Sequence, residues 1–372
     1  MKRLSRSLLF KLLTVASPFL PAVCIAVQSS TFSVKALPNI AGGTRTSVLG
    51  INNAGDAVGV VGGGSSACPA GCLAVWISGT PTILGSVPGA TGGGAYSINN
   101  SDQAAGIEVV AGNQLAVIWN NGTPTLLQSP GSQYNQTFAF SINDAGQVVG
   151  QAVGQVGGSV VAVATEWNGL TPTVLGLVPG YTIGEAYGIN NNGVVVGKLC
   201  CDIQEPEAVI WANGTASLLP RLKPVYGAHG AVASGTALAI NNSGVIVGQA
   251  APAASLGHAA AWSSGTVTDL GTLGNGSRSS ATAVDAQGII VGESATVDAS
   301  EPHAAIWSRI GAEIEDLNTL ISTTAAADVV LTGATGINDS CVIVANGYNK
   351  KTGAPTALLL TLIDASNCVN GL

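Results

Sequence analysis

Ala95-Tyr96-Ser97-Ile98-Asn99-Asn100-Ser101-Asp102-Gln103-Ala104-Ala105-Gly106 decides how the chain is read, because its pattern returns six more times. The anchors are Ile51-Asn52, Ile98-Asn99, Ile142-Asn143, Ile189-Asn190, Ile240-Asn241, Val284-Asp285 and Ile337-Asn338, with steps of 47, 44, 47, 51, 44 and 53 residues. A period of this size is a whole supersecondary unit. Ala95–Ile98 alternates small and large residues, which suits a strand. Asn99-Asn100-Ser101-Asp102 is turn chemistry: Asn and Asp cap turns with their own side chains and tolerate left-handed backbone. A second strand follows, as in Gln147-Val148-Val149-Gly150 or Val194-Val195-Val196-Gly197. After a variable loop a third strand ends in tryptophan, and a Gly turn leads to a fourth such as Thr123–Leu127, Thr171–Leu175, Thr215–Leu219 or Thr266–Leu270.

Four short antiparallel strands in about 45 residues describe a β-propeller blade. All six tryptophans (Trp76, Trp119, Trp167, Trp211, Trp262, Trp307) fall at one repeat position, 21 to 25 residues after the anchor, and the seventh repeat has Leu360 there. One large flat side chain per unit is what packing a blade on its neighbour requires. The seventh repeat lacks a fourth strand, and Thr31–Pro38 near the N-terminus carries the missing pattern. The expected fold is therefore all-β: a seven-bladed β-propeller of four-stranded blades, closed by the N-terminal strand completing the last blade. Such closure leaves no free sheet edge. No linker or change of composition interrupts residues 27–372, which read as one domain.

Residues 1–26 read as a signal peptide. Lys2, Arg3, Arg6 and Lys11 precede an apolar run from Leu12 to Ile25 that is too short and too Pro-broken for a membrane span, and Cys24 and Ala26 suit a small-residue cleavage site. Its removal takes away four basic residues and moves the net charge from −7 to −11. With only 9% charged residues and an acidic balance, the chain is a poor partner for nucleic acid or an anionic membrane. The expected location is secreted or periplasmic, with no membrane attachment after cleavage. Six cysteines remain, an even number that favours disulfides in an exported chain. The local pairing is Cys68–Cys72 across a loop and Cys341–Cys368 at the C-terminus. That leaves Cys200 and Cys201 as a strained vicinal pair or as two thiols. Cys68-x3-Cys72 has no second such pair, so no metal site is expected.

The fifth repeat reads Ile240-Asn241-Asn242-Ser243-Gly244-Val245-Ile246-Val247-Gly248, then His258-Ala259-Ala260-Ala261-Trp262, then Thr268-Asp269-Leu270-Gly271-Thr272-Leu273. This pattern resembles the HAF family of extracellular bacterial repeats, and the resemblance runs over the whole of 27–372. It implies export and a repeat architecture, and it brings no catalytic residues to carry over. The His position is kept in His303 but is Cys72, Leu115, Val163, Glu207 and Thr356 elsewhere, and the family's namesake Phe is absent.

His258 and His303 are expected to hydrogen-bond the backbone of a neighbouring blade. Equivalent positions on successive blades do not converge, and no nucleophile motif accompanies them. The Asn-Asp turns offer one or two carboxylates where a calcium loop needs several, and the Gly runs lack the Lys-Ser/Thr ending of a phosphate loop. No cofactor is expected. A ligand would meet the face carrying the loops that enter the first strands and join the second to the third. That rim carries Arg45, Tyr134, Gln136, Tyr181, Glu185, His229 and Arg278, the candidate ligand-binding residues. The sequence suits a secreted binding or surface-interaction module for an extracellular carbohydrate or protein. The alternatives are a propeller enzyme acting on carbohydrate at the channel mouth and a purely structural extracellular repeat. Glu185 is nearly the only acid on that rim, which counts against glycosidase chemistry with its two carboxylates.

Overall fold

Each Ile-Asn anchor ends a strand, and its asparagine turns the chain back. In the second repeat Asn99 Oδ1 accepts the amides of Ser101 (3.0 Å) and Gln103 (2.9 Å), while the Gln103 carbonyl accepts the Asn99 amide at 3.0 Å. Asp102 takes the left-handed conformation at φ 58°, the place that Gly55 and Gly146 fill in the first and third repeats. Asp tolerates this conformation better than most residues with a Cβ.

The computed structural model describes residues 32–64, 68, 71–201, 204–223, 234–251, 256–297, 301–364 and 368. The signal segment 1–26 and His229 lie outside the described residues. The described strands form seven antiparallel sheets of four strands each. The first strands are Arg45–Ile51, Ala90–Ile98, Tyr134–Ile142, Ile183–Ile189, Ser234–Ile240, Ser279–Val284 and Val329–Ile337. Each lies against the first strand of the next blade all the way round, so together they form the wall of a central channel. The chain is thus a seven-bladed propeller. Phe32–Ala36 pairs antiparallel with Pro355–Leu362, from Phe32 opposite Leu362 to Ala36 opposite Leu358, and completes the seventh blade.

The blades are joined by two repeated contacts. Every tryptophan is buried, and its indole Nε1 donates to a carbonyl just past the fourth strand of the preceding blade. The bonds are Trp76 to Pro38 (2.8 Å), Trp119 to Gly85 (2.8 Å), Trp167 to Gln128 (2.7 Å), Trp211 to Gly176 (2.7 Å), Trp262 to Pro220 (2.8 Å) and Trp307 to Leu270 (2.8 Å). A buried ring with a satisfied polar end gives both area and orientation to each seam. The second contact comes from the anchors. Asn52 Nδ2 donates to the carbonyl of Asn99 (3.1 Å), Asn99 to Asn143 (3.0 Å), Asn143 to Asn190 (3.0 Å), Asn190 to Asn241 (3.1 Å), Asn241 to Asp285 (2.8 Å) and Asn338 back to Asn52 (3.1 Å).

At the seam without tryptophan, Leu360 is buried in the largest apolar cluster, with Phe32, Leu317, Ile321 and Leu331. Two short helices, Leu317–Leu320 and Thr323–Asp328, help fill it, capped by Asp316 and Ser322. The strand pattern does not anticipate them. Cys68–Cys72 and Cys341–Cys368 are bonded as expected. Cys200 is partly buried in the second strand of blade four. Trp167→Ala is expected to lower the unfolding free energy by about 3–5 kcal/mol through lost burial and the cavity it leaves, measured by urea denaturation. Trp167→Phe should cost clearly less, because only the indole bond and part of the ring are lost.

Candidate functional site

Every first strand carries a β-bulge two residues before its anchor. The register skips Tyr96 between Ala95 and Ser97, and likewise skips Leu49, Phe140, Tyr187, Leu238, Thr282 and Thr335. A bulge leaves one residue without a cross-strand partner and re-aims its side chain. These seven bulge residues, one from each blade, line an axial cavity of about 270 Å³. In six blades the glycine that ends the second-strand motif packs directly on the first-strand backbone, whereas blade seven has Ala345 there. A Cβ on Gly106 would collide with the Gly94 carbonyl oxygen, and one on Gly150 with that of Phe138.

The wall is uneven. Blades two to four place Tyr96, Phe140 and Tyr187 side by side, with ring centroids 6.2 Å apart for Tyr96–Phe140 and 5.4 Å for Phe140–Tyr187. Phe138 stacks on Phe140 at 6.0 Å. The other four blades present Leu238, Thr282, Thr335 and Leu49, and two of these are already committed. Thr282 Oγ1 donates to the Ala334 carbonyl (2.7 Å) and Thr335 Oγ1 to that of Val48 (3.1 Å). The aromatic arc ends at a charged cluster. Glu185 and Lys198 are cross-strand partners, with Nζ 3.2 Å from Oε1. The Tyr187 hydroxyl donates to Glu185 Oε2, and Lys198 Nζ lies 5.6 Å from the Tyr187 ring centroid, a cation–π contact. Burial is the main cause that pushes the Tyr187 phenol well above its usual range, with the hydrogen bond to Glu185 and its negative charge adding to it. Burial also raises the Tyr96 phenol.

Of the seven rim residues expected from sequence, Glu185 joins this cluster and the other described ones do not; Gln136 pairs with Val153 in blade three. Arg45 lines a separate cavity of about 570 Å³ between blades one and two, with Glu108 and the Cys68–Cys72 bridge. Tyr134 begins the first strand of blade three and is half-buried. Tyr181 packs on the core shared by blades three and four. Arg278 is exposed before the first strand of blade six, its carbonyl accepting the Ala295 amide at 2.9 Å. The histidine expectation is corrected. His258 and His303 do not reach a neighbouring blade. Nδ1 of His258 sits 3.1 Å from both carboxylate oxygens of Asp269, and Nδ1 of His303 sits 2.6 Å from Asp316 Oδ2, each in its own blade. The His and Asp of the repeat pattern are therefore one pair holding the third strand to the fourth. Glu207, at the same position in blade four, is held instead by Arg221, with Nε 2.8 Å from Oε2. No group of three or more His, Cys, Asp or Glu side chains suited to a metal ion occurs among the described residues.

Sequence reasoning missed Tyr96, Phe140, Tyr187 and Lys198. The signal for the three aromatics is present at the position two before each anchor, which reads Leu, Tyr, Phe, Tyr, Leu, Thr and Thr round the ring; Lys198, on the second strand, has no such mark. Large variation inside an otherwise repeated strand marks the place where the scaffold does not dictate the residue.

No family model matches the chain, and no curated protein sequence matches it. Solved propeller structures are similar in fold. A prolyl endopeptidase aligns with a TM-score of 0.50 at 10% identity over 90% of this chain and 51% of its own, so the chain spans about half the length of that enzyme. A gluconolactonase from Xanthomonas campestris aligns with a TM-score of 0.40 at 8% identity over 91% and 93% of the two chains. A Trypanosoma rangeli sialidase gives 0.41 at 9% identity over 91% and 56%. At such identities the likeness is one of fold alone.

The Tyr187 phenol should resist ionisation until the protein unfolds. Ultraviolet alkaline titration of the wild type against Tyr187→Phe is expected to show no phenolate from this residue in the folded protein. A difference signal appearing while the fold is intact would contradict the hydrogen-bonded, buried geometry.

Proposed function

We propose that this protein is an exported binding module of the extracellular-repeat type. Its ligand is a carbohydrate taken against the aromatic arc of the central channel. The observation that carries the reading is the concentration of Tyr96, Phe140 and Tyr187 on three consecutive blades, ending at the Glu185–Lys198 pair. Aromatic faces accept the apolar face of a sugar ring, and a fixed donor and acceptor beside them suit its hydroxyls. The two disulfides support an oxidising compartment. No helix among the described residues is long and apolar enough to cross a membrane.

The geometry favours binding over glycoside hydrolysis. Glu185 is already engaged by Lys198 and by the Tyr187 hydroxyl. Canal-side glycosidase chemistry needs a second carboxylate about 5–9.5 Å away, and the residues of the arc beside Glu185 are aromatic.

A glycan array probed with the purified protein is expected to show binding to a defined saccharide class. Calorimetry with that saccharide should then find affinity weakened about tenfold by each of Tyr96→Ala, Phe140→Ala and Tyr187→Ala, with Arg278→Ala unchanged. Silence across the array, or affinity unmoved in all three folded variants, would overturn the reading.

A further inference from the structure

The ring of anchor amides has one member that cannot make its link as the others do. Six anchors are asparagine and the sixth in order is Asp285. Asp285 Oδ1 does what every anchor Oδ1 does, accepting the Ile289 amide at 2.8 Å inside its own turn. A carboxylate and a carboxamide have the same shape. By analogy Asp285 Oδ2 takes the place of Nδ2, the atom that in the six asparagine blades reaches the next anchor's carbonyl, which for blade six is that of Asn338. Asp285 is 2% exposed, and Oδ2 is buried with no hydrogen-bond partner among the described residues. An ionised Oδ2 would set a negative oxygen against a carbonyl oxygen in a site shielded from water. A buried polar atom left this way is strongly unfavourable.

We propose that Asp285 keeps its proton in the folded ring and donates it to the Asn338 carbonyl, making the seam between blades six and seven a pH-sensitive latch of the propeller. The link is closed while the carboxyl is neutral and broken once it ionises.

The surroundings agree with this. Burial pushes the Asp285 carboxyl up to about 6, chiefly by desolvation, against the backbone amides of Ile289, Gly288 and Gln287, which favour its charged form. Asp339, in the facing turn of blade seven, adds a like charge and accepts the Ala286 amide at 2.9 Å. The turn on the other side, Asn241-Asn242-Ser243-Gly244, brings no ionisable side chain. The seam is also the one where a leucine replaces tryptophan, so the latch sits where no indole bond joins the two blades.

The sign follows from linkage. An unfolded Asp ionises near pH 3.9, roughly, and the folded group near 6. Between these values the folded chain holds a proton that the unfolded chain has released, so stability falls as pH rises. The contribution is complete below about pH 4 and is lost by the time pH has passed about 6.

Asp285→Asn tests the latch, because asparagine already fills this place in six blades. Thermal unfolding of the full chain should give Asp285→Asn a Tm higher than wild type by about a few degrees at pH 7.5. The gap should narrow steadily toward pH 4. A gap constant from pH 4 to 8, or a lower Tm for the variant at pH 7.5, would overturn the proposal. Carbon-13 NMR of Asp-labelled protein gives an independent readout. One carboxyl resonance, absent in the variant, should titrate near pH 6, and a midpoint below 5 for that resonance would also overturn it.

Discussion

In six of the seven blades one asparagine side chain has to satisfy two neighbours at once. Its oxygen closes the turn of its own blade, and its amide nitrogen reaches the backbone of the next. A propeller blade is a sheet that cannot bury its faces alone, so its stability depends on how the neighbouring blade is set against it. The anchor asparagine makes local turn formation and blade packing the same event: a turn that forms wrongly cannot offer Nδ2 in the right direction. The tryptophan seals the seam farther out, by an apolar surface and an indole bond that also run to the neighbouring blade. Two contacts at different distances from the axis fix both the spacing and the tilt of every pair except blades six and seven, where Leu360 and Asp285 stand in their places.

Against that repeated frame, the bulge two residues before each anchor is where the blades can differ. In six blades the motif glycine lets the second strand lie close on the first, and in all seven the bulged side chain faces the axis. The turn and the other strand positions are held by packing or hydrogen bonds that every blade repeats, whereas the bulge side chain has no cross-strand partner and faces the channel. This is why Tyr96, Phe140 and Tyr187 can gather on one wall while threonine and leucine occupy the other. The asymmetry of the channel is a property of side chains laid on a nearly symmetric backbone.

The fold was legible because its determinants repeat. A turn asparagine, a tryptophan and a glycine recurring in register restrict the answer more than any one segment could, and the strand pattern of Thr31–Pro38 located the closure. The site was harder. Tyr96 looked like an ordinary strand residue, since a bulge leaves no mark in a single copy and shows only when the variable column is compared with its fixed neighbours. Rim residues such as Arg278 and Tyr134 were singled out for being polar or aromatic on loops, and loops on different blades have no reason to converge. The pairing of His258 with Asp269 was hidden because the two motif elements lie on adjacent strands of one blade. The helices at Leu317–Leu320 and Thr323–Asp328 fill space left by an absent indole, which a strand pattern does not register.

Closure by the N-terminal strand has a consequence for how the molecule is made. Ser33 and Thr361 are hydrogen-bonded but separated by 328 residues. The earliest described strand thus pairs with the last described one. Until they pair the growing array carries an open edge at each end, the kind of surface on which chains aggregate. A chain cut short before Pro355 would keep an unmatched strand at one end and an unmatched blade at the other. The ring therefore acts as a test of completeness, since only an uninterrupted chain can close it.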